Sequence, residues 1–567
     1  MRAGIGTTPR TPRGLPKGWW TRDGYFDGSL PSIRNMQINR KSLIWVIPLL
    51  GLSALLDMGV AAKASITTDE PLHVSYGVQV LHFEPDHHYV GGFSDSQMPI
   101  SALNAAPQVI ASHLESHHLL RPISAVLNHF KVARFPTILA TLALNLLVYL
   151  WAYDLYGEGP ALASCLLCTL SPNLIAHGTL ATTDMYHAVG VVGSLFLFRR
   201  FLLQPTLTHA LLSGLALALA QITKSFALAL YAVVYLAIAL LMLRRTPLRS
   251  LAPRRLLVFT AIAAMWIVAI INLAYSFDRT FMPLGSYYFE TTLFNRFQRL
   301  PLLGQVPVPF PYPFLQGLDM TKRSEETGRA FGNVYLLGKL GDSDNPAFHG
   351  FKSYYAVAFF YKEPIALQIL FLFGLIWIFR NRKLDDFIRG EGLLLIAATI
   401  LVVWLSFFSR AQIGIRHILP ALAIETVIAG AAFSNFSSKP WPKKTLLSIL
   451  VLWLGGSVAS YYPHMIPYMN EWVRDRRLSY RILADSNLDW GQDEAVVRAF
   501  LRKNPDVVLD PNGPVAGRIL IRANRLTGVY RWDPSAAFLA KYRPVAQVGY
   551  AHFLFVVPPE DIVSGPP

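Results

Sequence analysis

Charge is scarce in this chain of 567 residues: 15% are Asp, Glu, Lys or Arg, against 53% hydrophobic residues and a mean hydropathy of +0.36. A soluble globular chain carries about 25% charged residues, so the deficit excludes an ordinary soluble enzyme and argues that much of the length lies in a membrane. Cysteine is scarcer still. The two present, Cys165 and Cys168 in ALASCLLCTL, exclude a disulfide framework. With no second Cys or His pair nearby, their CxxC spacing reads as helix packing rather than a metal or redox centre. No early apolar segment ends in a small-residue cleavage site, so the first apolar stretch reads as a signal anchor and not as a removable signal. Internal repeats are also missing, which disfavours the usual transporter architectures.

Of the two signs, the acidic one is short: 35 residues against 51 Lys and Arg, for a net charge of +16 and a pI near 9.7. In a soluble protein this would raise nucleic-acid binding. In a membrane protein the same excess encodes orientation, and its distribution decides between the two.

A helix crosses a bilayer with roughly 17 to 25 apolar residues. Eleven stretches meet or approach this: Leu43–Ala61, Pro136–Tyr153, Ala161–Ile175, Tyr186–Phe201, Leu207–Ile222, Phe226–Leu243, Leu256–Tyr275, Ile365–Phe379, Leu393–Phe408, Ile418–Phe433 and Leu446–Ser460. With the N-terminus in the cytoplasm, Lys and Arg are more than twice as dense in the cytoplasmic segments as outside. Nearly all the excess charge then faces the cytoplasm, and no nucleic-acid partner is expected. An odd number of spans puts the C-terminus outside. The expected fold class is a polytopic α-helical membrane protein of about eleven spans with a small extracytoplasmic α/β domain at the C-terminus. Residues 1–41 read as a basic disordered tail, 42–460 as the transmembrane domain with long outer loops 62–135 and 276–362, and 461–567 as the α/β domain, from a charged helical stretch, the turn DPNGP and the strand-like runs RILIRA and YAHFLFVVP. Long loops in compact proteins are usually functional, so the outer face is the expected working face.

The residues able to do chemistry sit at that boundary. Asp69 and Glu70 follow the first span in SITTDEPLHVSYG, with His73 close by. A partly desolvated carboxylate there serves as a general base towards a hydroxyl, while Asp69 before Pro71 is equally good helix-start chemistry. Asp184, at the start of the fourth span, is either a cap or a second acid of the same site. Arg134, Lys224, Lys362 and Arg416 with His417 place positive charge on the outer edge, against the orientation rule. A lipid-linked phosphate explains them; snorkelling to headgroups is the other reading. Within spans, Asp57 lies near an outer end and reads as interface-exposed or functional, and Glu425 as paired or protonated in the bundle. In RILADSNLDWGQDEAV, Asp485 and Asp489 flank Asn487 as in a calcium loop, but Gly491 comes one place late and Val496 stands where a Glu belongs, so a polar turn is expected.

TTDEP, ARFPTILA, SPNLIAHGTLATTDMY, ITKSFAL, YKEPIAL, IGIRHILPAL and LADSNLDWGQD follow one another in this order. Together they resemble bacterial members of the dolichyl-phosphate-mannose protein mannosyltransferase-like superfamily, glycosyltransferases of the GT-C fold, over about residues 43–560. The resemblance implies an inverting enzyme of the cell (inner) membrane that moves a sugar from a polyprenyl-phosphate donor to an acceptor on the outer face. It implies Asp69 as catalytic base with Glu70 as its neighbour, Arg134 as a carrier-phosphate ligand and Asp184 as a second acid; Lys362 and Arg416 are expected to aid Arg134. It assigns no role to DSNLDWGQD. No cofactor is required by this scheme, although some relatives use a divalent metal. The acceptor, whether lipid, glycan or protein, stays open, since the outer-loop repeats of eukaryotic protein O-mannosyltransferases are missing. A multi-span transporter or lipid flippase and a non-catalytic membrane scaffold are the rival readings.

Overall fold

The computed structural model describes residues 40–86, 98–243, 253–327, 332–410, 412–530 and 534–563. Residues 1–39 of the basic tail expected at 1–41 and most of the basic segment between the sixth and seventh spans fall outside the described residues, while Arg40 and Lys41 already belong to the first helix.

The chain opens with α1 (Arg40–Lys63), which leads through a short turn into α2 (Glu70–Leu81) and, further on, α3 (Ala102–Leu114) and α4 (Arg121–Leu127). The bundle continues with α5 (Phe135–Tyr156), α6 (Glu158–Thr169), α7 (Pro172–Gly178), α8 (Asp184–Leu203), α9 (Leu207–Gln221), α10 (Ala229–Leu243) and α11 (Pro253–Ala274). The segment expected as a long loop folds into α12 (Thr292–Gln298), α13 (Tyr312–Thr327) and a hairpin of β1 (Val334–Leu336) and β2 (Lys339–Gly341). After it come α14 (Tyr354–Lys362), α15 (Ile365–Asn381), α16 (Leu384–Arg389), α17 (Glu391–Phe407), α18 (Leu419–Gly430) and α19 (Trp441–Ala459).

Each of the eleven apolar stretches is helical, but length separates them. Among the described residues six helices are long and apolar enough to cross a membrane, or up to eight if each of two bent pairs is one span. This is the build of a multi-pass membrane protein. The expected third span bends by 62° between α6 and α7, and the eighth, which lies within α15, is preceded by α14 at a turn of 109°. Both breaks fall at a proline, Pro172 and Pro364, which withholds an N–H and clashes with the preceding turn. The expected fifth and ninth spans, α9 and α17, are short apolar helices.

At the centre runs α18, buried along its whole length. Its sequence LPALAIETVIAG supplies small residues where α5, α6, α8, α15 and α17 approach. Gly374 of α15 meets it most closely: a Cβ there would lie 2.0 Å from the Ile428 carbonyl oxygen. Two intramembrane acids are enclosed. Asp57 is fully buried, with the Ser53 hydroxyl donating to it at 3.4 Å, rather than exposed at the interface as its position near a helix end suggested. Glu425 is buried, and neither of its carboxylate oxygens has a hydrogen-bond partner among the described residues. Cys165 and Cys168 are free and buried in the main core, as expected of packing residues.

Residues beyond α19 form α20 (Glu494–Lys503) and a four-stranded sheet of β3 (Val507–Leu509), β4 (Gly517–Arg522), β5 (Ala546–Val548) and β6 (His552–Val557) in the order β3-β4-β6-β5. The strand period of two divides its faces. Leu520 and Leu554 pack under α20 with Val497, while Ile519, Ile521, Phe553 and Phe555 join the main core together with Leu483. The sheet is therefore fastened to the bundle through one of its own faces.

Overpacking a tight helix contact costs about 1–3 kcal/mol. Gly374→Val should lower the melting temperature of the detergent-solubilised protein, whereas Gly455→Val, with nothing within 4 Å of a Cβ, should change it little. Equal losses would contradict the packing described.

Candidate active site

The notable polar residues sit at helix starts. Glu70 begins α2 with Pro71 behind it, Arg134 precedes α5 and Pro136, Asp184 begins α8, Lys362 and Glu363 precede Pro364, and Arg416 and His417 precede Pro420. Proline suits the first helical turn, where its missing N–H loses no bond. The starts that carry Glu70, Arg134, Asp184 and Arg416 come together and divide into a closed pair and an open cluster.

The closed pair is Glu70 with Arg134, both without solvent exposure. Arg134 Nε donates to Glu70 Oε1 and Nη2 to Oε2, each at 2.7 Å. Its remaining donors go to the carbonyls of Ala61 (2.9 Å), Ala64 (3.0 Å) and Ser65 (2.7 Å). A guanidinium has five N–H donors, and all of them are engaged. Glu70 also accepts from the Thr67 N–H at 2.9 Å, the Thr67 hydroxyl at 3.1 Å and the Ala181 N–H at 2.9 Å. In this arrangement Arg134 has no donor left for a phosphate and Glu70 no lone pair left for a proton in flight. The pair ties the end of α1, the turn before α2, the start of α5 and the approach to α8 into one corner.

The open cluster lies next to it. Asp69 stands at the start of α2 but makes no capping bond; its Oδ2 instead accepts from Arg416 Nη1 at 2.9 Å. Arg416 Nη1 is also 3.8 Å from Asp184 Oδ2, and Lys224 Nζ donates to Asp184 Oδ1. Two carboxylates and two cations thus alternate, and the buried Lys224 and Arg416 point inwards rather than snorkelling. Unlike Arg134, Arg416 keeps capacity: its buried Nε has no hydrogen-bond partner among the described residues. Asp69 is the most open member, with 20% of its side chain exposed. His73, one turn along α2, is buried, and burial holds its imidazole below the usual value. His417 lies within 3.3 Å of the Tyr355 hydroxyl and packs on Phe226.

Lys362 is elsewhere. Its buried Nζ donates to the carbonyls of Ile466 and Asn487, each at 2.6 Å, so it secures chain segments instead of facing the cluster. The Asn487 contact leads to the 485–493 turn, which packs against the site from the far end of the sequence. Ile415 N–H donates to Asn487 Oδ1 at 3.0 Å, Thr68 N–H to the Trp490 carbonyl at 3.0 Å, and Ser65 N–H to the Gln492 carbonyl at 2.8 Å. The Trp490 ring lies 4.1 Å from Arg416 Cζ and also contacts the His177 ring. Asp485 faces the same region from a left-handed backbone (φ 58°), and burial pushes its carboxyl up to about 7. Asp489 is buried, with Arg522 Nε 3.6 Å away. Trp490, His177 and Thr68 are thus site residues that the spacing of charges along the sequence did not reveal; the signal available was polar and aromatic side chains set into helix starts and a Gly-containing turn.

Among the described residues no three His, Cys, Asp or Glu side chains gather closely enough to hold a metal ion. Asp69 and Asp184 each carry a cation's N–H already, so this donor set does not fit one. Ile222, two residues before Lys224, lines an apolar cavity of about 310 Å³ with Val80, Leu81, Ile100, Leu103 and Leu273.

Residues 119–272 match the family model described as dolichyl-phosphate-mannose-protein mannosyltransferase. The matched stretch contains Arg134, Asp184 and Lys224, and the resemblance drawn from the ordered motifs is borne out there. No curated protein matches the chain. Solved structures similar to it include ArnT from Cupriavidus metallidurans bound to undecaprenyl phosphate, at 12% identity over 90% of this chain and 97% of that one, TM-score 0.44. Another is the Archaeoglobus fulgidus oligosaccharyltransferase in the apo form, at 14% identity over 81% of this chain and 58% of that one, TM-score 0.45. The chain thus spans little more than half the length of the archaeal enzyme, and neither likeness reaches a TM-score of 0.5.

Removing one partner of a buried ion pair leaves an uncompensated charge and costs about 3–5 kcal/mol. Glu70→Gln should therefore depress thermal stability sharply, while Asp69→Asn, at the open edge next door, should cost much less, because its amide oxygen can still accept from Arg416 and Asp184 still lies 3.8 Å from that cation. Equal melting temperatures for the two variants would refute the assignment of Glu70 to the closed pair.

Proposed function

We propose that this protein is an integral-membrane glycosyltransferase that takes a sugar from a polyprenyl-phosphate carrier and passes it to an acceptor on the outer face of the membrane. The observation that carries the reading is the open cluster: Arg416 and Lys224, buried at helix starts and held on carboxylates; an apolar groove lined by Ile222, two residues before Lys224 in the chain, suits a prenyl chain. The family model over 119–272 supports the same donor class.

In this reading the acceptor hydroxyl attacks the anomeric carbon while the bond from that carbon to the phosphate oxygen breaks. Arg416 and Lys224 take the charge that develops on the leaving polyprenyl phosphate, where fixed donors in a dry site act most strongly. Arg416 then loosens from Asp69, which accepts the hydroxyl proton. Attack opposite the leaving group inverts the anomeric centre. Asp184 holds both cations before the donor arrives. Arg134 and Lys362, the first expectations for phosphate binding, serve instead to hold the Asp69 turn and the 485–493 turn. The topology that goes with this reading has the N-terminus in the cytoplasm, about eleven helical passes counting the short and bent ones, and residues 461–567 outside.

Loss of a general base lowers rate about 10²–10⁴-fold. Asp69→Asn should lose transfer from a polyprenyl-phosphate sugar by that order, measured in membranes, with its fold retained. Wild-type activity in a folded Asp69→Asn protein would sink the reading, whereas a transporter or scaffold would lose nothing by the change.

A further inference from the structure

We infer that Trp490 is a positioning residue for donor binding: its ring fixes the plane of the Arg416 guanidinium and leaves the N–H donors of that group free for the carrier phosphate. The inference rests on the donor reading proposed above and extends it to a segment of the chain with no role so far.

The geometry assigns the ring this task in three ways. First, the Arg416 guanidinium carbon lies over the face of the ring. Trp490 is 5% exposed, and its ring centroid is 4.1 Å from Arg416 Cζ, within the range of a cation–π contact, which is stronger when desolvated. A guanidinium held flat on that face keeps its N–H donors, and a phosphate takes its bonds in the guanidinium plane. Asp69, the partner that the mechanism requires to let go, is the hydrogen bond holding Arg416 at 2.9 Å. The ring is what continues to hold the side chain once Asp69 has turned to the acceptor.

Second, the backbone that carries the ring is held. The Trp490 backbone N–H donates to Gln492 Oε1 at 2.7 Å, Gln492 Nε2 to the Leu488 carbonyl at 2.7 Å, and Asn524 Nδ2 to the Asp489 carbonyl at 2.8 Å. Gly491 follows with φ +88°, a conformation that favours glycine and turns the chain back towards Ser65. Trp490 also belongs to an apolar cluster with Val60, Ile175 and Leu180. Third, one residue relates both halves of the Asp69–Arg416 pair. The Trp490 carbonyl accepts from Thr68 N–H at 3.0 Å and Oγ1 at 3.3 Å, immediately before Asp69, while its ring carries Arg416.

The test is the affinity of the full-length protein in detergent for farnesyl phosphate, in a double-mutant cycle of Trp490→Leu and Arg416→Lys, with Trp490→Phe as the conservative variant. A desolvated cation–π contact corresponds to roughly a tenfold change in affinity. Trp490→Leu should weaken binding by about that factor, Trp490→Phe should restore most of it, and in the Arg416→Lys background Trp490→Leu should change binding less than about twofold. The same tenfold loss in both backgrounds would overturn the inference, because the ring would then act through packing alone. A second series covers a Leu variant that does not fold. Fluorinated tryptophans placed at position 490 keep the ring's shape and drain its negative face, so affinity should fall stepwise with fluorine number, and a flat series overturns the inference. Wild-type protein that does not bind farnesyl phosphate would overturn the donor reading together with this extension of it. Wild-type binding with additive losses would overturn the extension alone.

Discussion

Glu70 and Arg134, sealed from solvent and joined through two bonds of 2.7 Å, hold the corner on which every other part of the site is hung. Burying two charges is costly, and the cost is met only when the remaining lone pairs and N–H groups find partners. Here they all do, in the carbonyls of Ala61, Ala64 and Ser65 and the N–H groups of Thr67 and Ala181. The pair converts three separate chain segments, the end of α1, the start of α5 and the approach to α8, into one rigid frame. Asp69 is the next residue along from Glu70, so its position is set by that frame and not by a cap of its own.

The same chemistry, left incomplete, gives the open cluster. Arg416 and Lys224 are buried cations like Arg134, but they rest on carboxylates without exhausting their donors. An anion that brings more lone pairs than Asp69 and Asp184 offer completes the set. This difference, a saturated guanidinium against one with an unpartnered Nε, separates a structural arginine from a ligand-ready one a few residues from the same membrane boundary. It also explains why the 485–493 turn is stitched down so thoroughly. A cation with spare donors needs its orientation fixed by something other than its own hydrogen bonds, and an aromatic face supplies that.

Much of this architecture was legible in the sequence. The apolar stretches located the transmembrane-type helices, and the strand-like runs RILIRA and YAHFLFVVP located β4 and β6, because short β-branched and aromatic runs bounded by turn residues favour strands. Asp69, Asp184, Lys224 and Arg416 were legible as charges in the wrong place, at helix starts on a boundary that favours neither sign. What was not legible depends on distance along the chain. Nothing local distinguishes Arg134 from Arg416, since the difference lies in how many carbonyls the fold brings to each. Glu70 and Asp69 are adjacent, yet a turn of the helix start aims one inwards and the other at a residue 347 positions away. The bend at Pro172 broke the expected third span, and the helix α14 before Pro364 was read as loop, because hydropathy averaged over a window passes across such breaks. The contacts of the 485–493 turn with residues 65–68 and 413–416 are set by how the sheet docks on the bundle, which no motif records.

The central claim is that the two cations of the open cluster, and not the saturated Arg134, receive the carrier phosphate. An experimental map of the protein with a bound polyprenyl phosphate tests it most directly. The account predicts phosphate density between Arg416 and Lys224, with Asp69 released and the Glu70–Arg134 pair unchanged. Density on Arg134 with Glu70 displaced, or phosphate bound away from an intact Asp69–Arg416 pair, would contradict it.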